Sequence, residues 1–374
     1  MSEILVTRSS MPELSEYVKE IEPLFESHWI TNAGKKHEEL TEKLKEYLGV
    51  PHLSLTVNGH MALELALQLL GLKKGGEVIT TPFTFISTTH AIVRSGLKPV
   101  FADIREEDCT IDPDRIEEKI TEDTVAIMPV HVYGNMCDVK RIDEIAKKHG
   151  LKVIYDAAHT FGVKLDYNGK WRGSGSFGDL SCFSFHATKV FNTIEGGAVC
   201  CGTEAQAERI TNLRDFGIVD EETVNAISPN AKMNEFSACM GLCNLRHVDS
   251  EIEKRKAVND AYRDALKDVP GIKLLKEKED QKNNYAYFPI FVDRDEYGVS
   301  RDELFDILKK NGFGARKYFY PIVTDTDCYK DSFDSAETPV AERLAASVLT
   351  IPMYADLGAD TAYKIAEVIK SHGN

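Results

Sequence analysis

The chain has 374 residues, 43% of them apolar, so it can bury a substantial core and is long enough for two domains or for one large domain with an appendage. Its formal net charge of -15 argues against a nucleic-acid-binding protein, for which a basic surface is expected. No apolar run approaches the roughly 18 residues that span a bilayer, and residues 1–10 lack the apolar segment of a secretory leader. We therefore expect a cytoplasmic enzyme that has neither a membrane nor a nucleic acid as partner. Its eight cysteines, scattered without CxxC spacing, are expected to be reduced core residues.

Short apolar runs alternate with amphipathic stretches over residues 53–199. This alternation is typical of βαβ units and predicts a largely parallel sheet with helices on both faces. Gly71, Gly96 and Gly150 stand where the intervening helices should end, because glycine readily adopts the left-handed conformation that closes a helix.

The pattern changes after Phe236 to a long helical segment, which runs to the break at residues 270–271. Beyond the break we predict one strand and two helices, at residues 285–292, 301–311 and 360–371. The chain is thus expected to have an α/β fold with two domains joined by the long helix. The large domain would comprise residues 1–250, with an N-terminal helical segment, and the smaller α+β domain residues 251–374.

Lys189 is the first candidate for chemistry. It follows a strand-like apolar run, residues 182–185, and precedes a glycine pair in a region with few competing charges. The ordinary alternative is a solvated surface charge. Upstream, a buried-strand pattern ends at Asp156, at the carboxyl end of a strand, where open α/β sheets collect ligand groups. A lysine and an aspartate are the groups that pyridoxal 5′-phosphate (PLP) requires, one for its aldehyde and one for its ring nitrogen.

An ordered set of motifs accompanies these two residues. The motifs are WITNAG (29–34), VNGHMAL (57–63), PFTF (82–85), PVHVYG (129–134), DAAH (156–159), SFHATK (184–189) and NAKMNE (230–235). Together they resemble the PLP-dependent sugar aminotransferases of the DegT/DnrJ/StrS family. The resemblance implies a fold-type I PLP transferase: a large domain whose mostly parallel sheet is sandwiched by helices, and a smaller C-terminal domain.

The segment at residues 57–60 is the candidate phosphate site. It ends a strand, and a helix is expected to begin at about Met61, where unpaired N–H groups stabilise an anion. Gly59 allows close approach of the ligand. The resembled family usually has a small hydroxyl residue where His60 stands, so the role of that side chain is open. An ordinary Asn-Gly turn is the alternative.

The resemblance assigns further cofactor contacts. Ser184 would bind the phosphate, and Asn230 would reach it from the neighbouring subunit of a homodimer with shared active sites. Phe85 would stack on the pyridine ring, and His159 would lie near the phenolic oxygen. The alternatives are a serine at a strand end, a turn that begins a helix, and two core residues.

The substrate contacts are also implied by the resemblance. They are expected from Thr31 and Asn32, from Arg214, from Arg316 and Tyr318, and from Lys189. Basic residues near aromatic ones suit a diphosphate beside a sugar. A solvated loop is the alternative for Arg316.

Lys189 would hold PLP and then, as a free amine, move the substrate proton. The expected reaction transfers the amino group of L-glutamate to a nucleotide-linked 4-keto-6-deoxyhexose, which gives dTDP-4-amino-4,6-dideoxyglucose or a close relative. One alternative is a 3-keto-6-deoxyhexose aminotransferase, and another is a non-catalytic PLP-binding regulatory protein. No metal is expected, because none of the eleven histidines stands in a ligand-spaced cluster.

Overall fold

The computed structural model describes residues 4–374, and within this range the chain forms thirteen strands and twelve α-helices. The strands are β1 (His52–Thr56), β2 (Glu77–Thr80), β3 (Lys98–Phe101), β4 (Thr124–Ile127), β5 (Lys152–Asp156), β6 (Lys164–Tyr167), β7 (Lys170–Gly173), β8 (Leu180–Ser184), β9 (Gly197–Cys201), β10 (Ile272–Leu274), β11 (Gln281–Lys282), β12 (Phe288–Val292) and β13 (Val348–Ile351). The helices are α1 (Leu14–Ser27), α2 (Lys35–Leu48), α3 (Gly59–Leu70), α4 (Ser87–Arg94), α5 (Pro113–Glu118), α6 (Val139–His149), α7 (Glu204–Leu213), α8 (Glu235–Leu266), α9 (Arg294–Tyr297), α10 (Arg301–Lys310), α11 (Pro339–Ser347) and α12 (Ala359–Lys370).

The central sheet of the described chain has seven strands in the order β1-β9-β8-β5-β4-β2-β3. Neighbours from β8 to β3 run parallel, whereas β9 is antiparallel to both β8 and β1. Parallel strands are joined by helical crossovers, which cover both faces of the sheet. The predicted α/β architecture is therefore present.

The side chains of the central strands alternate between two apolar layers. In β8, Leu180 and Cys182 face the layer under α3 and α7, while Phe183 faces the opposite layer with α2 and α8. Successive side chains of a strand point to opposite faces, so one short apolar run supplies both layers. This explains why these strands read as continuous apolar runs in the sequence.

The helix ends follow local capping rules. Asn58 begins α3 by accepting a hydrogen bond from the Met61 N–H at 2.8 Å, and Gly71 ends it in the left-handed conformation. Gly150 closes α6 in the same way, and Gly96 follows the end of α4 with φ at 74°. The predicted helix ends are confirmed at all three glycines.

The C-terminal part of the chain has its own sheet and core. Strands β10, β12 and β13 form an antiparallel sheet. It packs with α10, α12 and the second half of α8, and Tyr262 and Leu304 are fully buried there. The first half of α8 lies in the other core with Leu242. The division at residues 250 and 251 stays a prediction, and α8 crosses it without interruption.

One segment of the C-terminal part returns to the large sheet's side of the molecule. Strand β11 pairs with β6, which forms a hairpin with β7. The residues between β11 and β12 are thereby carried next to the carboxyl end of β5, as described below.

Two further predictions can be compared with the structure. Seven cysteines are buried, but Cys328 is exposed, so the prediction that all eight are core residues is wrong for this one. Its thiol lies 3.4 Å from the Thr326 hydroxyl in a surface loop. Outside a helix or strand, no regular alternation of side chains turns this cysteine toward the core. Within residues 4–374, no helix has the length and apolar content to cross a bilayer.

Candidate active site

A cavity of about 380 Å³ opens at the carboxyl ends of the parallel strands. Asp156 is the last residue of β5, Ser184 is the last residue of β8, and Asn58 follows β1. Other lining residues are Gly59, His60, Thr84, Phe85, Ser87, His159, His186, Lys189, Glu195, Tyr287, Tyr318 and Phe319. Parallel strands bring their carboxyl ends to one edge, which is why residues far apart in sequence meet here.

Asp156 lies buried at the floor of the cavity. Its Oδ2 accepts a hydrogen bond from the Thr88 hydroxyl at 2.8 Å, and its Oδ1 accepts one from the Ala158 N–H at 3.1 Å. Burial raises the pKa of this carboxyl above its ordinary value, while the two hydrogen bonds and the charge of Lys189 oppose the rise. A cationic N–H placed against Asp156 would stabilise its charged form, as a protonated pyridine nitrogen would.

Lys189 lies in the turn between β8 and β9, with its backbone N–H donating to the His186 carbonyl at 2.9 Å. Its side chain is half-buried, and the Nζ donates to the Tyr287 hydroxyl at 3.2 Å. The amine and the Asp156 carboxylate thus lie in the same cavity, which is the arrangement that PLP needs.

His159 is a buried, neutral histidine beside this lysine. Burial lowers the pKa of its imidazole well below the ordinary value, and the charge of Lys189 lowers it further. Its Nδ1 accepts a hydrogen bond from the Tyr133 N–H at 3.1 Å, so the ring hydrogen of the neutral form lies on Nε2. The ring packs parallel to Phe319, with 6.1 Å between ring centroids. His159 can therefore donate one hydrogen bond to an oxygen atom in the cavity.

Gly59 and Ser184 form the anion-binding end of the cavity. Gly59 is the first residue of α3, and the first N–H groups of a helix have no acceptor within the helix. A Cβ atom on Gly59 would lie 2.6 Å from the Ser184 Cβ, so only glycine permits this approach. The Ser184 hydroxyl and the start of α3 together suit a phosphate group.

The His60 side chain is engaged with protein groups on both ring nitrogens. Its Nδ1 lies 2.8 Å from the Ser87 hydroxyl, and its Nε2 lies 3.0 Å from a Glu64 carboxylate oxygen, which also pairs with Arg94. The imidazole therefore joins the first turns of α3 and α4. The predicted cofactor contact of His60 stays a prediction, and in this geometry its backbone N–H is the group left for it.

Phe85 lies at the cavity after the end of β2, and 59% of its surface is exposed. An exposed aromatic ring on a cavity wall has a free face on which a flat ligand can stack. The residues present at the site thus fit PLP at its aldehyde, ring nitrogen, ring face and phosphate.

The remaining predicted residues lie outside this cavity in one chain, apart from Tyr318, which lines it. Thr31, Asn32, Asn230 and Arg316 are exposed. The predicted roles of these residues stay predictions.

Arg214 is buried away from the cavity. Its Nη1 donates to the Leu55 carbonyl of β1 at 2.7 Å and lies 3.1 Å from the His37 Nε2. Burial lowers the pKa of Arg214 to about 10 and, with the Arg214 charge as second cause, that of His37 to about 3. These contacts tie the end of α7 to β1 and α2.

Several polar residues of the site were not predicted from the sequence, among them Ser87, Thr88 and Tyr287. Thr88 stands three positions after Phe85, and this spacing places it on the same side of the helix start. Tyr287 lies 98 positions after Lys189 and carries no local signal of its own. The pairing of β11 with β6 and the hydrogen bonds of Asn284 to the carbonyls of His159 and Phe161 bring it to the cavity.

Comparisons with known proteins agree with this geometry. The sequence model of the DegT/DnrJ/EryC1/StrS aminotransferase family matches residues 13–370. The chain is 45% identical over 367 residues to the dTDP-4-amino-4,6-dideoxy-D-glucose transaminase of Shigella dysenteriae, with 98% of each chain covered. A protein of the same name from Escherichia coli is 42% identical over 371 residues, again with 98% of each covered.

Solved structures are similar along almost the whole chain. The structure of DesI in the presence of its TDP-sugar product has a TM-score of 0.93 and 34% identity, covering 99% of this chain and 93% of that one. The PLP form of the putative sugar aminotransferase Spr1654 from Streptococcus pneumoniae has a TM-score of 0.89 and 26% identity, covering 97% of each. The predicted fold class and the predicted cofactor are confirmed, since aminotransferases of this family depend on PLP. The chain belongs to the DegT/DnrJ/EryC1/StrS aminotransferase family.

Proposed function

We propose that this enzyme transfers the amino group of L-glutamate to a dTDP-linked 4-keto-6-deoxyhexose, which gives dTDP-4-amino-4,6-dideoxyglucose. One observation carries the proposal: Lys189, Asp156 and the start of α3 converge on one cavity in a chain 45% identical to a transaminase named for that product. The 3-keto alternative has less support, because a transaminase named for a 3-amino sugar, from Micromonospora megalomicea, is only 31% identical over 342 residues.

PLP, when bound, supplies an electron sink for the carbanion at the donor's α-carbon. In this proposal Lys189 holds the cofactor through its amine, Asp156 pairs with the ring nitrogen, and Ser184 and the Gly59 N–H bind the phosphate. The neutral His159 donates its Nε2 hydrogen to the ring oxygen. Asp156, Ser184 and Gly59 are each placed by a strand end or a helix start, so little reorganisation of these three is needed on binding.

Lys189 then acts as the proton carrier. As a free amine, its Nζ would take the α-proton of glutamate and deliver it within the cavity. In the second half of the reaction it moves a proton in the opposite sense, to the sugar carbon that receives the nitrogen. Burial raises the pKa of Asp156, while its hydrogen bonds from Thr88 and Ala158 and the charge of a protonated ring nitrogen would favour the carboxylate form.

We propose that the working unit is a homodimer with shared sites. Among the cavity-lining residues of the described chain, Lys189 alone is a lysine or arginine, although the cofactor phosphate, the donor carboxylates and the nucleotide diphosphate are all anions. Asn230 is exposed, and the segment before it carries the exposed apolar residues Val224 and Ile227. A second copy that covers this segment would bring Asn230 to its partner's cavity.

Thr31, Asn32, Arg316 and Tyr318 are proposed to contact the nucleotide sugar in that dimer. Arg316 and Tyr318 belong to the segment that lines the cavity through Tyr318 and Phe319. We also propose that the reaction takes place in the cytoplasm, since all eight cysteines are free. The product is proposed to serve polysaccharide synthesis, because a Bacillus subtilis relative that is 32% identical over 369 residues is named for spore coat polysaccharide biosynthesis.

Absorption spectroscopy of the purified protein tests cofactor, lysine and donor together. We expect an absorption band at about 410 nm that is replaced by one at about 330 nm after glutamate is added. Lys189→Ala should show neither the band nor turnover, while Lys73→Ala, at an exposed position, should behave as wild type. Turnover of Lys189→Ala at the wild-type rate would refute the assignment.

Parallel assays with 4-keto and 3-keto dTDP-sugars test the acceptor. Exclusive use of the 3-keto sugar would contradict the proposal, and absence of any half-reaction with glutamate or another amino acid would favour a binding protein without turnover. Sedimentation of the holoenzyme tests whether it is a dimer. A monomer with full activity would contradict the proposal.

A further inference from the structure

The Lys189 amine has one hydrogen-bond acceptor among the described residues, and it is a phenol. The distance from Lys189 Nζ to the Tyr287 hydroxyl is 3.2 Å. The Nζ also lies 5.8 Å from the centroid of the Tyr287 ring, so it sits toward the hydroxyl end of that ring. Asp156, the buried carboxylate of the cavity, has Thr88 and Ala158 as its hydrogen-bond donors. Lys189 is therefore oriented by Tyr287.

Tyr287 packs against residues at the carboxyl ends of the strands of the large sheet. Its ring packs on His159, with 4.7 Å between centroids, and meets Tyr318 edge-on at 6.2 Å. The loop that carries it is pinned by Asn284, whose Nδ2 donates to the carbonyls of His159 and Phe161 at 2.9 Å each. The position of the Tyr287 hydroxyl is thus set by contacts with residues 159–161, in the segment that follows Asp156.

The chemistry needs such an acceptor in one state above all. When the donor's nitrogen has replaced Lys189, the amine stands free at the end of a four-carbon chain with several rotatable bonds. A hydroxyl oxygen that accepts one N–H hydrogen leaves the nitrogen lone pair directed elsewhere, toward the carbon whose proton it takes. After that transfer the ammonium group still donates to the same oxygen, so the acceptor serves both protonation states.

We propose that Tyr287 is a positioning residue that holds the free Lys189 amine for proton transfer. The proposal rests on the function proposed above. In the step concerned, the C–H bond at the donor's α-carbon breaks, its electron pair passes into the bound cofactor, and the proton goes to the Lys189 Nζ. Tyr287 neither gains nor loses a proton in this step.

The test compares Tyr287→Phe with Tyr285→Phe, which removes a hydroxyl from the same loop outside the cavity lining. Phenylalanine keeps the ring and its packing, and equal melting temperatures establish that both variants fold. In Tyr287→Phe the glutamate half-reaction should slow about tenfold, the effect of losing one ordinary hydrogen bond to the free amine. The dissociation constants of PLP and glutamate should not change, and the isotope effect with α-deuterated glutamate should rise because proton transfer becomes more rate-limiting.

A second readout uses the apoprotein and involves no turnover. In ¹⁵N-lysine NMR, the Lys189 ammonium signal, assigned by its absence from Lys189→Ala, should show hydrogen exchange with water about tenfold faster in Tyr287→Phe. Tyr285→Phe should match wild type. Tyr287→Phe with wild-type exchange and wild-type half-reaction rate would overturn the proposal, as would a rate loss fully explained by weaker PLP binding. A wild-type protein without any half-reaction would refute the proposed function instead, while the exchange measurement would still test the contact.

Discussion

Replacing Thr88 with valine tests how the buried carboxylate is maintained. Thr88 and Thr89 are adjacent, fully buried and of equal size. The Thr88 hydroxyl donates to Asp156 at 2.8 Å, whereas the Thr89 hydroxyl has no partner in the described structure. A hydrogen bond to a charged group contributes about 1.5–3 kcal/mol, so Thr88→Val should weaken any equilibrium that needs the Asp156 charge by about 10- to 100-fold. Thr89→Val should be neutral or slightly stabilising, because it removes an unsatisfied hydroxyl.

The assay is titration of the two apoproteins with PLP, followed by absorbance and by tyrosine and tryptophan fluorescence. The dissociation constant should rise by that factor in Thr88→Val and stay at the wild-type value in Thr89→Val. Equal affinities for all three proteins would refute the reasoning that Thr88 maintains the charge of Asp156.

The same variant has a pH signature in the apoprotein. Burial raises the pKa of Asp156 above its ordinary 3.8, and the hydrogen bond from Thr88 opposes this rise. The folded protein therefore retains a proton that the unfolded chain has lost, so this group lowers stability as pH rises from 3.8 through the folded pKa. Thr88→Val should raise the folded pKa further and enlarge that loss. Thermal unfolding from pH 4 upward, relative to Thr89→Val, checks the sign, and a smaller loss in Thr88→Val would contradict it.

Three further predictions concern single residues. Gly59→Ala would put a Cβ 2.6 Å from that of Ser184 and should weaken PLP binding about tenfold or more. The control Gly202→Ala adds a Cβ in open space and should leave the PLP dissociation constant unchanged, and equal constants for the two variants would contradict the prediction. The ring signals of His159 in NMR should not titrate between about pH 5 and 8, because burial lowers its pKa well below the ordinary value; a titration in that range would show that the ring is not buried and neutral. Arg214→Met should leave the buried Leu55 carbonyl without its donor and lower the free energy of unfolding by about 1–3 kcal/mol, with the KM for the sugar nucleotide unchanged. A raised KM at unchanged stability would instead support the predicted substrate contact.

The sequence by itself determined the architecture and the chemical type of the site. The alternation of apolar runs predicted the parallel sheet, and the predicted helices at residues 301–311 and 360–371 match α10 and α12 within one residue at each end. Asp156 and Lys189 could be found because one stands at the end of a strand pattern and the other a few residues beyond one, and strand ends in a parallel sheet converge at one edge. The predicted strand at residues 285–292 is shorter in the structure, because its first three residues form the loop that carries Tyr287.

Only the tertiary structure decided which side chains surround these groups. Arg214 was expected to contact the substrate by resemblance to the family, yet it is buried against β1, because the end of α7 packs there. The contact of His60 with Ser87 and the position of Tyr287 beside Lys189 depend on elements that are separated in sequence and meet only in the fold. The spacing of apolar residues and the position of a strand's end are local properties that can be read directly from a sequence. The neighbours of a side chain are set by how the elements pack, and no local pattern records that.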